Sequence, residues 1–385
     1  MMPTRSHSLV LAGCFVLGLL LAGCGGSETN SALGDWTLKT DGLTLTEDLR
    51  VSETENYFFG SIQDFDVTTD GRMVVVDGEA THLKVLRPDG TLLDTLGRQG
   101  QGPGEFQSPA TAEVARGDSI YVFDPGTKRF TVFALSPAPS LARSVAIDRE
   151  QGPRGTDAWG VLRGVRMLDG TLAARFWPYY AREEGYRQPA PVVWRSMSEA
   201  GNLGDTLLHE RRKHISISFE GQGVGIEPLP FDRETVVAPG PDGRLYHGVT
   251  DSLQIHATAL DDTTEVIAHV PTAPVSLTEA DRDSALAPIE RADIRKQFVD
   301  AMPQTKPAFT DLVVADDGHL WVRRPTDGPD AQTVSWWVLD PDVKTIHEIQ
   351  LPVEVDLEVV QDGQAYGTTT TEMDAPAVVR YRIES

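Results

Sequence analysis

Short apolar runs, each closed by a Gly- or Pro-containing turn, recur along most of this chain. The clearest unit holds four such runs, which are Asp66–Thr68, Met73–Val76, Leu83–Leu86 and Leu92–Leu96. Asp70-Gly71 and Asp89-Gly90 stand between runs, and such pairs favour tight reverse turns. Runs of this length, rich in Val and Leu, are typical of β-strands. The pattern therefore predicts one small antiparallel sheet of four strands.

A second unit follows after a crossover rich in glycine and proline. Gly97 and Gly104 supply the backbone freedom that a sharp crossover needs. Phe106 is the one large apolar residue in this loop, and we expect it to fill the gap between the two sheets. Asp77 and Asp124 stand at matching positions in the two units. A carboxylate after a strand commonly accepts hydrogen bonds from backbone N–H groups, so both predict a structural role.

The same turn signal recurs at six places, at Gly71, Gly117, Gly170, Gly243, Gly318 and Gly363. The shortest spacings are about 45 residues, close to the period of a four-stranded propeller blade. The two longest gaps predict insertions. We therefore predict an all-β fold, a six-bladed β-propeller of four-stranded antiparallel blades with a short helical insertion; five or seven blades are the alternatives.

The last unit has room for three strands, Val353–Val360, Gln364–Thr370 and Ala377–Ile383. Three strands leave an open sheet edge, which proteins normally cover. Either Trp36–Lys39 or Leu43–Leu49 could supply the fourth strand. Both alternatives close the ring by pairing the two ends of the chain.

The crossover carries the most specific motif. It reads G-x-G-P-G-E-F-x-x-P, followed by a strand, a turn, a strand ending in Asp, and K-R-F-x-V-F. This motif resembles the NHL repeat, and the chain is similar to the six-bladed β-propeller lipoproteins of Gram-negative bacteria. The match is good over 64–133 and weaker beyond. The resemblance implies a fold and a topology, and it brings no catalytic residues to this sequence.

One stretch between predicted blades has helical spacing. Within Leu277–Ala301, the residues Leu286, Ile294 and Phe298 recur at intervals that suit one helix face. Thr278 with Asp281 predicts a helix start, and Pro288 predicts a break into two helices. We place this helical insertion at 275–306, as a buttress or as a lid over the central channel.

The N-terminus predicts export. Residues 1–23 form a signal peptide with an apolar run at Leu9–Leu21, which is short for a membrane span. Leu21-Ala22-Gly23-Cys24 resembles the bacterial lipobox, which implies acylation of Cys24; an ordinary cleaved signal peptide is the alternative. We predict a flexible tether at 24–34 and the propeller at 35–385. Gly25, rather than Asp, after the cysteine favours the outer membrane, with the propeller facing the periplasm or the exterior.

The composition limits the kinds of partner and cofactor that the protein can bind. The chain has 34 Lys and Arg against 57 Asp and Glu, a formal net charge of −23, which argues against nucleic acid as a partner. Cys14 lies in the signal peptide, so Cys24 is the only mature cysteine. That count excludes a disulfide and a thiolate metal site in the mature protein. We predict no cofactor and assign no metal ligands.

The sequence contains none of the common hydrolase, metalloprotease, nucleotide-binding or EF-hand motifs. Outside the signal peptide its histidines are scattered singly, at His82, His209, His214, His247, His256, His269, His319 and His347. Aromatic residues cluster in 175–190, either to grip a ligand or to pack on their own loop. The residues predicted to bind a ligand are Arg98, Glu105, Trp177, Tyr179, Tyr180, Arg323 and Arg324.

Two classes of function remain after this reading. The first is a lipid-anchored envelope module or scaffold that binds an envelope protein, a peptide or a glycan through one face of the disc. The second is a metal-dependent enzyme of the lactonase-like or lyase-like kind, which would need an axial divalent ion held by several blades. The long loops favour the first class.

Overall fold

The computed structural model describes residues 33–39, 42–54, 56–115, 119–147, 159–168, 171–178, 192–211, 214–219 and 223–384. Six sheets of at least four strands each are arranged as the blades of a β-propeller, as predicted. The first two strands of the chain, β1 (Thr37–Lys39) and β2 (Thr44–Val51), belong to the last two blades. The other strands follow in chain order.

Each of the first three blades is a four-stranded antiparallel sheet. Blade 1 contains β3 (Ile62–Val67), β4 (Met73–Asp77), β5 (His82–Leu86) and β6 (Leu92–Leu96). Blade 2 contains β7 (Thr111–Ala115), β8 (Ser119–Asp124), β9 (Arg129–Ala134) and β10 (Ser140–Ala146). Blade 3 contains β11 (Trp159–Leu168), β12 (Thr171–Pro178), β13 (Val192–Met197) and β14 (Leu203–Glu210).

A separate hairpin, β15 (His214–Phe219) with β16 (Gly223–Pro228), joins blades 3 and 4. Blade 4 contains β17 (Thr235–Pro239), β18 (Leu245–Val249), β19 (Leu253–Thr258) and β20 (Thr264–Val270). Helices α1 (Glu279–Ala285) and α2 (Ala292–Ala301) follow. Blade 5 contains β21 (Asp311–Val314), β22 (Leu320–Arg323), β23 (Thr333–Asp340) and β24 (Thr345–Pro352). Blade 6 contains β25 (Asp356–Gln361), β26 (Gln364–Thr370) and β27 (Pro376–Glu384).

The ring is closed by the N-terminal end of the chain. β2 pairs antiparallel with β27 and supplies the fourth strand of blade 6, which confirms the second of the two predicted alternatives. β1 pairs in parallel with β24 and adds a fifth strand to blade 5. Just before β1, the indole Nε1 of Trp36 donates to the backbone oxygen of His269 at 2.9 Å. Blades 5 and 6 therefore each take one strand from the N-terminal segment 33–51.

Apolar side chains fill the space between neighbouring blades. Between blades 1 and 2, strands β4, β5, β8 and β9 contribute a buried cluster that includes Val76, Leu83, Val122 and Phe133. Phe106 lies in the same cluster and is fully buried, so the prediction that it fills this gap is confirmed.

The crossover that delivers Phe106 depends on a glycine. Gly97 has φ +82°, and a Cβ placed on it would lie 2.2 Å from the Phe106 ring. We expect Gly97→Ala to lower the free energy of unfolding by about 3 kcal/mol, because left-handed strain and overpacking add. Gly363→Ala is the matched control, since Gly363 has φ +70° with no atom within 4 Å. Urea titration of Gly363→Ala measures the cost of the backbone strain alone, about 1 kcal/mol. Equal losses of unfolding free energy in both variants would contradict the role of Phe106.

The two matched aspartates have the predicted structural role. Each carboxylate lies at the end of the second strand of its blade and joins the incoming crossover to the turn that follows. Asp77 accepts from the backbone N–H groups of Gly60, Ser61 and Ala80, at 3.1–3.3 Å. Asp124 accepts from those of Gln107, Ser108, Gly126 and Thr127, at 2.7–3.2 Å. Both side chains are almost fully buried.

The helical insertion is built as predicted. α1 begins with a capping box, in which Thr278 Oγ1 accepts from the N–H of Asp281 and Asp281 accepts from the N–H of Thr278. The helix ends before Pro288, and α2 begins after it. Lys306 Nζ lies 2.8 Å from Asp281 Oδ1 and 2.8 Å from the backbone oxygen of Thr326. This buried pair attaches the insertion to a loop of blade 5.

No helix in the part of the chain that the structure describes is long and apolar enough to cross a membrane.

Candidate binding site

The connections between strands differ in length at the two faces of the disc. Neighbouring strands of a blade run in opposite directions. The start of each inner strand and the end of each second strand therefore lie at the same face of the disc. At that face lie long connections that the structure describes in whole or in part, 97–110, 211–234, 271–310 and 324–332. At the opposite face the strands are joined by short turns such as 68–72 and 240–244. We call the first face the long-loop face.

The contact between blades 3 and 4 is less apolar than the other blade contacts. Val75 of blade 1 and Val322 of blade 5 stand four residues after their turn glycines and are fully buried. His247 occupies that position in blade 4, four residues after Gly243. The fully apolar cluster at this contact is small, with Ala173, Trp194, Leu207 and Leu245 as its buried members.

A cavity of about 450 Å³ lies where this contact is polar. Residues of β14 form one wall, and the strands of blade 4 form the other. The lining residues are Leu208, His209, Thr235, His247, Val249, Asp251, Ser252, Gln254, His256 and Thr264. Thr235, Val249 and Asp251 lie at the strand ends that meet the long-loop face, so the cavity reaches that face.

Two histidines form a stacked pair in the wall of this cavity. His247 and His256 are register partners on β18 and β19, with ring centroids 5.5 Å apart and planes inclined by 15°. His247 Nε2 is 2.9 Å from Thr258 Oγ1, which is 2.8 Å from Thr264 Oγ1. Burial, together with the neighbouring imidazole, lowers the pKa of His247 to about 4. His247 is therefore uncharged at neutral pH.

Several polar groups in the cavity are left for a ligand. Within the described ranges, the side chains of His209, Gln254 and His256 have no hydrogen-bond partner in the protein. His209 is exposed at the edge of the cavity, whereas Gln254 and His256 are half-buried. An imidazole and a carboxamide can each donate and accept a hydrogen bond.

The charged groups beside the cavity are paired with one another. Glu210, which follows His209 and is buried, accepts from Arg175 Nη2 at 2.5 Å and from Trp194 Nε1 at 2.7 Å. At the rim, Arg211 Nη1 lies 3.0 Å from Asp251 Oδ2. The backbone of Arg211 is also bonded to Thr235, which joins the end of blade 3 to the start of blade 4. These pairs fix the two walls relative to each other.

The half-buried His247 gives this contact a pH dependence. Its folded-state pKa lies below the unfolded value of 6.5, so its stabilising contribution is present above pH 6.5 and is lost as pH falls towards 4. We expect at most about 2 kcal/mol of unfolding free energy to be lost between pH 7 and pH 5 on this account.

Chemical denaturation of the wild type and of His247→Val at the two pH values measures this contribution. Valine is the residue that blades 1 and 5 carry at this position, so the variant keeps the shape of the blade. His269→Asn, at an exposed histidine of blade 4, is the control and should keep the wild-type pH dependence. An unchanged pH dependence in His247→Val would contradict the assignment.

A second cavity, of about 220 Å³, follows the axis of the ring. It is lined by inner strands of five blades, and its acidic residues are Asp66, Glu113, Asp311 and Glu358. Burial raises the pKa of Asp311 to about 6, and the Asp356 and Glu234 carboxylates act in the same direction against Arg323. Within the described ranges, His, Cys, Asp and Glu form no group of three or more that could hold a metal ion.

Two of the residues predicted to bind a ligand, Arg98 and Glu105, are brought together at the crossover between blades 1 and 2. Arg98 Nη2 lies 2.7 Å from Glu105 Oε1, and Glu105 Oε2 accepts from the N–H groups of Gln101 and Gly102. Glu105 thus orders the crossover loop, while the Arg98 side chain is 80% exposed. A role for either residue in binding stays a prediction.

Arg323 and Arg324 lie at the end of β22, away from the cavity between blades 3 and 4. Arg323 is paired with Asp356 at 2.8 Å and donates to the backbone oxygen of Val353. Arg324 donates to the backbone oxygen of Ala308 and lies over the Trp337 ring, 4.2 Å from its centroid. Burial lowers the pKa of Arg324 to about 10. Both guanidinium groups are thus engaged within the protein, and a binding role stays a prediction.

The remaining predicted residues are covered only in part. Trp177 lies on β12, where its backbone pairs with Gly160 of β11. Tyr179, Tyr180 and the predicted lipidation site Cys24 lie outside the described residues. The sequence therefore did not predict the cavity between blades 3 and 4. The one signal that could have found it was a histidine at the position where blades 1 and 5 carry valine.

Comparison with known proteins supports the architecture. No protein-family model matches the chain, and no curated protein matches it either. An exported protein from Bacteroides fragilis, described as putative, superposes with a TM-score of 0.54 at 11% identity, covering 89% of this chain and 96% of its own. A DUF4221 family member from Bacteroides vulgatus gives 0.53 at 10% identity, covering 90% and 100%.

A streptogramin B lyase matches less closely, with a TM-score of 0.43 at 11% identity over 88% of this chain and 97% of its own. At these identities the likeness concerns the fold alone. The chain is therefore a six-bladed β-propeller, similar in fold to these two Bacteroides proteins. The resemblance to NHL repeats stays an expectation from the motif.

Proposed function

We propose that this protein is an exported, lipid-anchored propeller that binds a small ligand in the cavity between blades 3 and 4. The observation that carries the proposal is the cavity itself. It reaches the long-loop face and presents the side chains of His209, Gln254 and His256, which have no hydrogen-bond partner within the described ranges. These side chains are exposed or half-buried, and a few polar groups that converge in a concave site are typical of a binding site for a small molecule.

The anchor and the location rest on the sequence. Leu21-Ala22-Gly23-Cys24 supports acylation of Cys24, and Gly25 supports the outer membrane. The Bacteroides fragilis protein of similar fold is described as exported, which supports a location in the cell envelope for this protein. Cys24→Ala should release the protein from membranes and abolish palmitate labelling, whereas an unlabelled wild type would exclude the anchor.

The long-loop face is the surface that we propose for larger partners, such as an envelope protein, a peptide or a glycan. Trp177 lies close to the end of β12 that reaches this face, and Tyr179 and Tyr180 follow it in the sequence. Arg98 belongs to the same face, because the crossover between blades 1 and 2 also runs there. A protein held at the membrane by its N-terminus could present this face to soluble partners.

The binding proposal is tested by thermal denaturation of the full-length protein against a chemically diverse set of small molecules. A compound that binds the cavity should raise the melting temperature of the wild type and of His269→Asn, but not of His256→Leu. The same shift in all three proteins would place the compound elsewhere. A set in which no compound distinguishes His256→Leu from the wild type would contradict the proposal.

A second candidate is a propeller enzyme of the lactonase-like or lyase-like kind. The observation that favours it is Asp311, a carboxyl in the axial cavity whose pKa is raised to about 6, in the range useful for proton transfer at neutral pH. Turnover of lactone substrates that is abolished by Asp311→Asn, with the fold intact, would favour this candidate over the first.

A further inference from the structure

We propose that the cavity between blades 3 and 4 takes an uncharged, hydroxyl-rich ligand of the size of one or two sugar units. This inference rests on the proposed function, in which that cavity is the binding site. It adds the chemical class of the ligand, which follows from the charge, the hydrogen-bonding groups and the volume of the cavity.

Among the residues that the structure describes, no unpaired Asp, Glu, Lys or Arg lines the cavity. Asp251 is the one acidic residue in its lining, and Arg211 lies 3.0 Å from it. His247 is half-buried, stacks on His256 and stays neutral at physiological pH. A charged ligand entering here would lose hydration without gaining a counterion, which is unfavourable. Among the described lining residues, neither an anion nor a cation therefore finds an unpaired Lys, Arg, Asp or Glu as a counterion.

The open polar groups suit hydroxyls. Gln254 and His256 can each donate and accept, and the Ser252 hydroxyl, which donates to Asp251 Oδ1 at 3.2 Å, can still accept. A sugar hydroxyl also does both, so it can satisfy two such groups at once. A ligand that only accepts, or only donates, would leave part of this set unpaired, which costs binding free energy.

The cavity also provides flat and apolar surface between its polar groups. The stacked rings of His247 and His256 lie in one wall, and Leu208 and Val249 line the cavity as well. The C–H faces of a pyranose ring can cover such surface while its hydroxyls reach the polar groups at the edges. A volume of about 450 Å³ is in the usual range of small-molecule sites, roughly 300–1,000 Å³.

Isothermal titration calorimetry of the full-length protein tests the inference. The neutral probes are N-acetylglucosamine and cellobiose, and the charged probes of similar shape are glucuronate and glucosamine. We expect a neutral probe to bind at least tenfold more tightly than either charged probe. Gln254→Leu and His256→Leu should each weaken that binding at least tenfold, whereas His269→Asn should leave it unchanged.

Gln254→Leu and His256→Leu change different side chains, so a folding defect in one variant does not decide the result. The melting temperature of each variant is measured to detect such a defect. Charged probes that bind as tightly as neutral ones would overturn the inference, as would sugar binding that is unaffected by both variants. If no saccharide binds while another compound depends on His256, the ligand class is wrong and the proposed binding function stands. If nothing binds in a way that depends on His256, both are wrong.

Discussion

Replacing Asp77 by Ala should lower the free energy of unfolding by about 4 kcal/mol, measured by urea denaturation. The carboxylate is fully buried and accepts from three backbone N–H groups and from Lys84 Nζ at 2.5 Å. Burial acts to raise the pKa of Asp77, but Lys84 and the backbone groups outweigh it and hold the pKa below its usual value. The substitution leaves those donors unpaired and Lys84 buried without its counterion.

Asp124→Ala separates the loss of the backbone hydrogen bonds from the loss of the counterion of Lys84. Asp124 accepts from four backbone N–H groups at the matching place in blade 2, but Thr131 occupies the position that Lys84 has in blade 1. We expect a smaller loss for Asp124→Ala, and a partial recovery when Lys84→Met is added to Asp77→Ala. Asp261→Ala, at an exposed turn, should change stability little. A loss at Asp77 no larger than that at Asp261 would refute this account.

The second large effect concerns the strand that closes the ring. Removing residues 1–51 deletes β1 and β2, exposes the edge of β27, and takes Trp36 and Leu33 from the contact between blades 4 and 5. We expect this shortened protein to lose its cooperative thermal transition, because a whole strand of backbone hydrogen bonds disappears together with its apolar face. The measurement is calorimetry with far-ultraviolet circular dichroism.

A graded series strengthens that test. Removing residues 1–39 deletes β1 but keeps β2, so a cooperative transition at a lower temperature is expected. A synthetic peptide of residues 42–54 added to the protein lacking 1–51 should restore the transition, while a scrambled peptide of the same composition should not. A protein that unfolds normally without residues 1–51 would show that blade 6 does not need its fourth strand.

Most of the fold could be predicted because its signals are local. Turns such as Asp70-Gly71 and Asp89-Gly90 mark strand ends within a few residues, and their repetition gives the number of blades. The open edge of the last unit predicts that the N-terminus closes the ring. The choice between Trp36–Lys39 and Leu43–Leu49 could not be made locally, since both segments have strand character and both form strands in the structure.

The candidate site could not be predicted in the same way. His209 comes from one blade, and His247 and His256 come from two strands of the next, so their proximity depends on the packing of blades. Each is an isolated histidine in the sequence. Conversely, Arg323 and Arg324 look available in the sequence, but backbone oxygens and the Trp337 ring take up their hydrogen-bonding and charged surfaces.

The pairing of β2 with β27 also bears on how copies of this protein can associate. Asp48 and Arg380, which are joined across this pair, stand 332 residues apart, so we expect this contact to form after the local turns within the blades. Until then β27 has an open edge that the β2 strand of a second molecule fits equally well. Two molecules refolding at high concentration can therefore exchange their N-terminal strands. The product would be a domain-swapped dimer that has every hydrogen bond of the closed monomer.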